Sequence, residues 1–582
     1  MRRRRSGLRL GRSTRRLTFG FGVVCALLTV VGGRLVQLQG VDPGDYARAA
    51  AAERLTTITL NAARGEIVDR NGVVLAYTGG AKDVIADPSQ ISAGDRLNYA
   101  MQLAPLVGAK VNDIAALLSK PGRYAMLGRA ISPGNATQIA KLNLAGVYEE
   151  ATAKRLYPGG TTGANVVGLV HSDGNGAAGI EQQYNSLLNG KDGQTTYERD
   201  ANGNVNPAGY NRTVAPVNGG TVNLTLSQDL QYMVQTELDK MVKASGARGG
   251  QVAVMDRNGN VLALAANNTF NSQDPSTIGP NTQLDAAIQQ PYEPGSVNKV
   301  VAFSAALQHN LITPRTVLSV PDSIQMGGIT VNDAWWHPVQ KMTTTGILAE
   351  SSNVGSLKVA QKVGPSAWDQ QAKLFGLGQQ TGIELPGESG GVLPDMKDWS
   401  ASTFANLPIG QGVSMTVLQM TSMYQAIANN GVRIAPRIVS STTAPDGTVS
   451  KTQQPAGVRA ISEQTATTLR TMLESVTQEN GGTGTKAAIK GYRIAGKTGT
   501  AQQPDPKTGR YSNSMYWDTF AGIAPADDPQ FEIGIMIDNP KHGVEGGDVA
   551  APLFHDIATY QLQHAGIPPS GSKTKPVPFV VS

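Results

Sequence analysis

The chain has 582 residues, 40% of them hydrophobic, with 67 glycines and a formal net charge of +6. That length exceeds what one compact core ordinarily holds, so two or more domains are expected. Eight arginines fall in residues 1–16, MRRRRSGLRLGRSTRR, and the remainder has 42 basic against 44 acidic side chains, which excludes a basic nucleic-acid-binding face spread over a domain.

Residues 17–33, LTFGFGVVCALLTVVGG, carry no charge, and Arg34 is followed by LVQL. The run is close to the ~20 residues needed to cross a bilayer, and the Arg34 stem can extend to the headgroups. A cleaved signal peptide would have a shorter apolar region ending in an Ala-x-Ala-like site. The reading is therefore a cytoplasmic basic tail over 1–16 and a retained transmembrane helix over 17–38. Arginines before the span keep the N-terminus in the cytoplasm and place the remaining chain outside. The single cysteine, Cys25, lies within the span, so neither a disulfide within the chain nor a Cys-based metal site is available. The six histidines show no ligand-like spacing, and no metal or organic cofactor is implied.

Beyond the span, GDYARAAAAERL (44–55) reads as a helix because of its alanine run. ARGEIVDRNGVVLAYT (63–78) reads as a hairpin around an Asn-Gly turn, and QVAVMDRNGNVLALAA (251–266) repeats the device. Residues 80–240 mix short strands, helices and Gly-rich turns, ending in a strand and a capped amphipathic helix over 219–242. SGARGG (245–250) reads as a joint. Apolar strands and helices then alternate to about 565. The remaining GIPPSGSKTKPVPFVVS (566–582) is rich in Pro and Ser and reads as disordered.

Three short signals carry chemistry. Ser-x-x-Lys occurs at 296–299, 570–573 and 572–575, but only the first, in YEPGSVNKVVAFSAALQHN, opens an apolar helix. On a helix, residues i and i+3 are neighbours, which puts the Lys299 amine within reach of the Ser296 hydroxyl. A serine is a poor nucleophile unless a base takes its proton, and a lysine becomes a base when burial, nearby positive charge and a helix N-terminus lower its pKa. Ser-x-Asn occurs at 296–298, within the first motif, and at 351–353, where Ser351 can relay a proton and Asn353 can hydrogen-bond both the lysine and a substrate amide. Lys-Thr-Gly occurs twice, ten residues apart. The first copy, Lys497-Thr498-Gly499, follows YRIAG and reads as a strand whose edge can offer main-chain groups to an extended peptide. The second, at 507–509, follows Pro504-Asp505-Pro506 and reads as the turn beyond that strand, with Lys507 in solvent.

Ordered 296, 351 and 497, these motifs match the set found in penicillin-binding proteins and serine β-lactamases, with Ser-Ser-Asn where class A β-lactamases have Ser-Asp-Asn. RGEIVDRNGVVLA (64–76), RLYPGG (155–160), GIEQQYNSLLNG (179–190), GIELPGE (382–388) and IGQGVSMTVLQM (409–420) extend the resemblance over 41–565. The chain resembles class B penicillin-binding proteins, and among them the FtsI septal transpeptidases of high-GC Gram-positive bacteria. The resemblance implies an α/β (α+β) fold: a pedestal (class B dimerisation-type) domain at 41–245 and a transpeptidase domain at 246–565, the latter an antiparallel sheet covered by helices. It implies that Ser296 attacks the penultimate D-Ala carbonyl of a stem peptide, with Lys299, Ser351, Asn353 and Lys497 catalytic. The backbone N–H groups of Ser296 and Thr500 would form the oxyanion hole, and Lys497, Thr498, Gly499 and Thr500 would hold the substrate. Implied partners are D-Ala-D-Ala stem peptides, β-lactams, and an FtsW-type glycosyltransferase with other divisome membrane proteins.

Arg64 and Glu181 read as a structural ion pair or domain contact, Trp335-Trp336-His337 as packing residues, and Gln411 as structural. Rival functions are a transpeptidase of elongation or sporulation, a D,D-carboxypeptidase or β-lactamase-type hydrolase, and a non-catalytic divisome scaffold. A free β-lactamase is far shorter than this chain, and a β-lactam sensor would have more membrane spans.

Overall fold

The computed structural model describes residues 13–41, 54–200, 204–282, 284–478, 481–543, 545–572 and 576–581. Contacts divide the chain into two compact units, residues 1–62 with 191–217, and residues 63–190 with 218–582.

In the first unit, Ser13–Val36 is an α-helix that continues as a short π-helix over Gln37–Val41. Its 28 residues from Ser13 to Gly40 are apolar enough to cross a membrane, and at 1.5 Å per residue they reach about 40 Å, longer than a ~30 Å hydrocarbon core. The helix starts before the expected residue 17, because the backbone of Ser13-Thr14-Arg15-Arg16 makes helical hydrogen bonds as an apolar stretch does. Leu55–Leu60, Gly193–Glu198 and Asn211–Val214 form a three-stranded antiparallel sheet. The helix expected at 44–55 lies outside the described residues up to 53, and Leu55 is already strand.

The second unit is built around a five-stranded antiparallel sheet: β1 (Gly249–Asp256), β2 (Val261–Ala266), β3 (Ala495–Pro504), β4 (Tyr511–Ala524) and β5 (Phe531–Asp538), in the order β2-β1-β5-β4-β3. Five helices matter for the site: α1 (Gln228–Ser245), α2 (Lys299–Gln308), α3 (Asn353–Val363), α4 (Val417–Ala428) and α5 (Gly546–His564). Side chains alternate across a strand, and both faces of this sheet are covered. Val252, Val254, Ile533, Ile535 and Ile537 pack against α1 and α5. Ala253, Met255, Ala521 and Met536 join the core that contains α2 and α4. Both expected hairpins form, and their Asp-Arg-Asn-Gly turns close alike: Asp69 accepts from the Asn71 and Val73 N–H groups, and Asp256 from those of Asn258 and Asn260.

The hydrophobic core is continuous across residue 245. Ile67, Leu75, Val222 and Leu224 share one hydrophobic cluster with Ala253, Val261 and α2, and the strand Thr221–Leu224 pairs with Val439–Thr443. Helix α1, expected to close the pedestal, covers the sheet with Leu230, Val234, Leu238 and Val242; its apolar stripe needs that cover. The tail is also ordered over 566–572 and 576–581. Ser570 Oγ donates to Asp527, the Pro578 and Phe579 carbonyls accept from Thr343, and the Val581 N–H donates to the Lys341 carbonyl. Pro and Ser suppress helix and core formation, but they do not prevent an extended chain from pairing along an open strand edge.

Arg64 and Glu181 form the expected ion pair, at 2.6 Å, and Glu181 holds Arg155 as well, also at 2.6 Å. Glu181 is fully buried, so its loss leaves two guanidinium groups in the interior without their anion. Removing one partner of such a buried set typically costs about 3–5 kcal/mol. Glu181→Ala is expected to lower stability by that amount in denaturant unfolding, with an unchanged midpoint counting against a structural role for the cluster.

Candidate active site

Ser296 sits on a 3-10 turn, Gly295–Asn298, and α2 begins at Lys299. The sequence placed Ser296 in the first α-turn; the tighter 3-10 geometry brings side chains i and i+3 into eclipse. Four contacts fix this turn. The Thr519 hydroxyl donates to the Pro294 carbonyl, Tyr424 to the Val297 carbonyl, Asn298 Nδ2 to the Leu407 carbonyl, and the Gly295 N–H to the Gly410 carbonyl. Gly295 has φ +63°, and a Cβ there would stand 3.2 Å from the Thr500 carbonyl. A Cβ at Gly499 would stand 2.7 Å from the Pro294 carbonyl oxygen. Two backbones therefore pass close together where Ser296 meets β3, and glycine is required on each.

Helix α2 is buried on every side from Lys299 to Leu307, which is why its sequence is apolar all round. Lys299 itself is 0% exposed, as is Lys497 on β3. Burial lowers Lys299 to about 7, although the nearby Asp333 carboxylate favours its charged form. Burial also pushes Lys497 well down, and the Lys299 charge adds to that.

The two amines meet at one hydroxyl. Lys497 Nζ lies 2.8 Å from Ser351 Oγ, and Lys299 Nζ lies 3.3 Å from it. Nitrogens sharing one oxygen are about 6 Å apart or less, where two full charges repel by about 3 kcal/mol at an effective dielectric of 20, equivalent to about two pKa units. Without an anionic ligand, the pair favours a single positive charge over two. Lys299 also donates to the Ser351 carbonyl at 2.5 Å and to Asn353 Oδ1 at 2.8 Å, and Lys497 to the Thr498 carbonyl at 3.0 Å. The amine expected to face Ser296 directly thus makes its hydrogen bonds to Ser351 and Asn353. Asn353 holds the lysine as expected, but its Nδ2 donates to the Asn332 carbonyl. Ser351 is a non-glycine residue with φ +61°, a strained conformation of the kind that concentrates at functional sites.

Sequence reasoning missed the support behind this motif. Asp333, 8% exposed, accepts from Ser352 Oγ at 2.7 Å, from the Val354 N–H at 3.0 Å, and pairs with His337 Nε2 at 3.0 Å. Ser352 caps α3 by accepting from the Gly355 N–H. The signal was an Asp four residues before a His just ahead of a Ser-x-Asn, a pattern that becomes meaningful only when the loop folds back.

Ser296, Ser351, Asn353, Thr498, Gly499 and Thr500 line one cleft of about 700 Å³. β3 is the edge strand of the sheet, and this edge faces the cleft. Trp335 and Gln411, read as packing and structural residues, line it too; His337 is buried as expected, and Trp336 is 80% exposed. Lys507 lies exposed in the turn between β3 and β4, with its N–H on Asp505. Ser570 hydrogen-bonds Arg493 and Asp527 and Ser572 accepts from Arg493, so both tail serines lie away from the cleft; Lys573 and Lys575 lie outside the described residues.

Residues 249–559 match the family model described as penicillin binding protein transpeptidase domain, and residues 59–224 match the penicillin-binding protein dimerisation domain. Penicillin-binding protein PbpB of Mycobacterium tuberculosis is 44% identical over 589 residues, covering 96% of this chain and 86% of that protein. Peptidoglycan D,D-transpeptidase FtsI of Escherichia coli is 32% identical, covering 95% and 92%. The crystal structure of penicillin binding protein 3 from M. tuberculosis complexed with ampicillin superposes with a TM-score of 0.73 at 41% identity, covering 90% of this chain and all of that one.

A lysine that must be neutral to act as a base is lost as pH falls through its pKa. With Lys299 at about 7, acylation by a penicillin is expected to fall by about tenfold per pH unit once the pH is well below 7. A rate constant flat from pH 5 to 7 in stopped-flow measurements would rule out a neutral Lys299 as the base.

Proposed function

This chain belongs to the class B penicillin-binding proteins, and we propose that it is a peptidoglycan D,D-transpeptidase in which Ser296 is the acylated nucleophile, serving septal cell-wall synthesis. The observation that carries the site assignment is the meeting of two buried lysines at Ser351 Oγ, beside a cleft that holds Ser296.

In the first step, Ser296 Oγ bonds to the carbonyl carbon of the penultimate D-Ala of a stem peptide, and its proton passes to the neutral Lys299 amine. The C–N bond breaks, and the terminal D-Ala leaves as the amine. The Ser351 hydroxyl, in contact with both lysines, is placed to hand that amine its proton. An amine of a neighbouring strand then attacks the ester, forms the cross-link and frees Ser296. The bond broken supplies the energy for the bond made, so no nucleotide is consumed. Peptide N–H groups of Ser296 and Thr500 serve as the oxyanion hole, where one donor is typically worth ~3–4 kcal/mol. Their proximity is supported by the close passage of Gly295 against Thr500. Thr498 and Thr500, which line the cleft, receive the donor's terminal carboxylate, and its charge favours a proton on Lys497 buried behind them. A β-lactam, with the same amide and carboxylate, enters the first step and stalls there. The septal assignment follows the likeness to FtsI.

Ser296→Ala is expected to abolish covalent labelling by fluorescent penicillin while preserving the melting temperature, since one oxygen is lost from a cleft wall. Peptide mapping of the native protein should place the label on 296. Labelling that survives the substitution overturns the assignment, and release of D-Ala without cross-linking in a lipid-linked substrate assay would indicate the hydrolase instead.

The same reading places the N-terminus in the cytoplasm, the Ser13–Val36 helix in the membrane and the catalytic part outside. It also gives the chain a partner, a polytopic glycosyltransferase of the FtsW type. A Cβ at Gly20, Gly22, Gly32 or Gly33 would meet no atom within 4 Å, and small residues let helices approach closely in lipid. Replacing 17–38 by an unrelated apolar span is expected to keep membrane attachment and penicillin labelling but to lose co-purification of the glycosyltransferase. Undiminished co-purification would reduce the span to a tether.

A further inference from the structure

Asp518 lies on β4, paired in register with Thr500 on β3, and directly paired residues project to the same face of a sheet. It is 0% exposed, yet neither carboxylate oxygen has a hydrogen-bond partner. A buried carboxylate left in that condition is costly, and its partner across β5 is the apolar Ile537, which offers it no hydrogen bond. Among the described residues, the charged groups acting on it are acidic. Glu545 and Asp548 face it from the start of α5, and Asp548 has its own cation in Lys486, at 2.7 Å. Tyr516 precedes it by two residues on the same strand and lines the cleft.

Among the described residues, the side chain that acts on it as a hydrogen-bonding neighbour is Thr500. That hydroxyl is exposed at the cleft, and its oxygen accepts from the Gly546 N–H at 3.2 Å. A threonine hydroxyl has one proton to give and two lone pairs. With one lone pair held by Gly546, the direction of the single proton depends on its neighbour. An ionised Asp518 draws that proton inward. A protonated Asp518 can donate into the second lone pair and leave the Thr500 proton free for the cleft.

We propose that Asp518 is a positioning residue that controls, through its own proton, whether Thr500 can donate a hydrogen bond to the terminal carboxylate of the acyl donor. The proposal rests on the assignment of the cleft to a carboxylate-terminated donor. It concerns binding before acylation, and Asp518 does not touch the reacting atoms. Burial raises the carboxyl to about 7, the nearby Thr500 hydroxyl pulls it down and the two acidic side chains push it up, so the device works near neutral pH. The pH response is opposite in sense to that of Lys299: the useful form of Asp518 is present below its pKa and lost as pH rises.

Asp518→Asn replaces the carboxyl by a permanent donor of the same size. The test measures the second-order rate constant for acylation by benzylpenicillin, between pH 6 and 8.5, in detergent-solubilised full-length native and Asp518→Asn proteins. Because Lys299 titrates alike in both, its contribution cancels in the ratio. The Asn variant is expected to equal the native protein within about twofold at pH 6 and to exceed it by about tenfold at pH 8.5, the size of one hydrogen bond to a charged group. The gain should appear in the pre-acylation dissociation constant and leave the acylation step unchanged. A ratio constant across the range, or a uniform loss with a lowered melting temperature, assigns Asp518 a structural role and overturns the proposal. Should the Asn variant not fold, Thr500→Val decides: it is expected to weaken acylation at every pH and to remove the alkaline fall, whereas an alkaline fall that persists contradicts the proposal. Failure of Ser296 to be labelled at any pH would instead overturn the assignment of the cleft.

Discussion

Two lysine amines buried around one serine hydroxyl form the constraint on which the rest of the structure depends. Lys299 and Lys497 are both wholly removed from water, and among the described residues the carboxylate that acts on Lys299 is Asp333, which is itself committed to Ser352, Val354 and His337. Burial without matched anions is normally avoided because the charged form loses its hydration. Here that cost is converted into basicity at neutral pH. Core packing offsets it: α2 is enclosed along its length, and the sheet beneath is covered on both faces.

The same constraint explains the geometry of Ser351. Placing its carbonyl and hydroxyl oxygens on Lys299 while its hydroxyl also meets Lys497 requires a backbone conformation that only a tightly held residue sustains, φ +61°. What holds it is the Asp333 network on one side and the cap of α3 on the other. The Ser296 turn is fixed by different means, through glycines that admit the Pro294–Gly295 backbone against β3. Motif and scaffold thus meet at backbone level, which leaves the β3 edge open for an extended peptide.

Local chemistry was legible in the sequence where it depended on neighbours along the chain. The two Asp-Arg-Asn-Gly hairpins, the apolar helix after Ser296 and the strand-then-turn placement of the two Lys-Thr-Gly copies all rest on contacts within a few residues. Lys299 pointing to Ser351 and Asn353 did not follow from its spacing to Ser296, because residues 52 and 54 positions away set the amine's direction. Asp333, Trp335 and Gln411 were legible only as types, since the fold alone brings their loops to the cleft. The glycine-rich joint at 245–250 falls between the residues matched by the two family models, 59–224 and 249–559, but the core that Val222 and Leu224 share with α2 across it is a long-range property that local composition does not report. The tail was read from composition, and composition does not report an available strand edge.

The most direct test of a neutral base beside Ser296 is the titration of Lys299 itself. Carbon-detected NMR of lysine side chains in the detergent-solubilised protein, assigned by comparison with Lys299→Arg, reads the amine's protonation without reference to any rate. A midpoint near 7 is the predicted result. A midpoint near the 10.5 of a solvated lysine would mean that the amine stays charged at neutral pH, and the proton of Ser296 would need another acceptor.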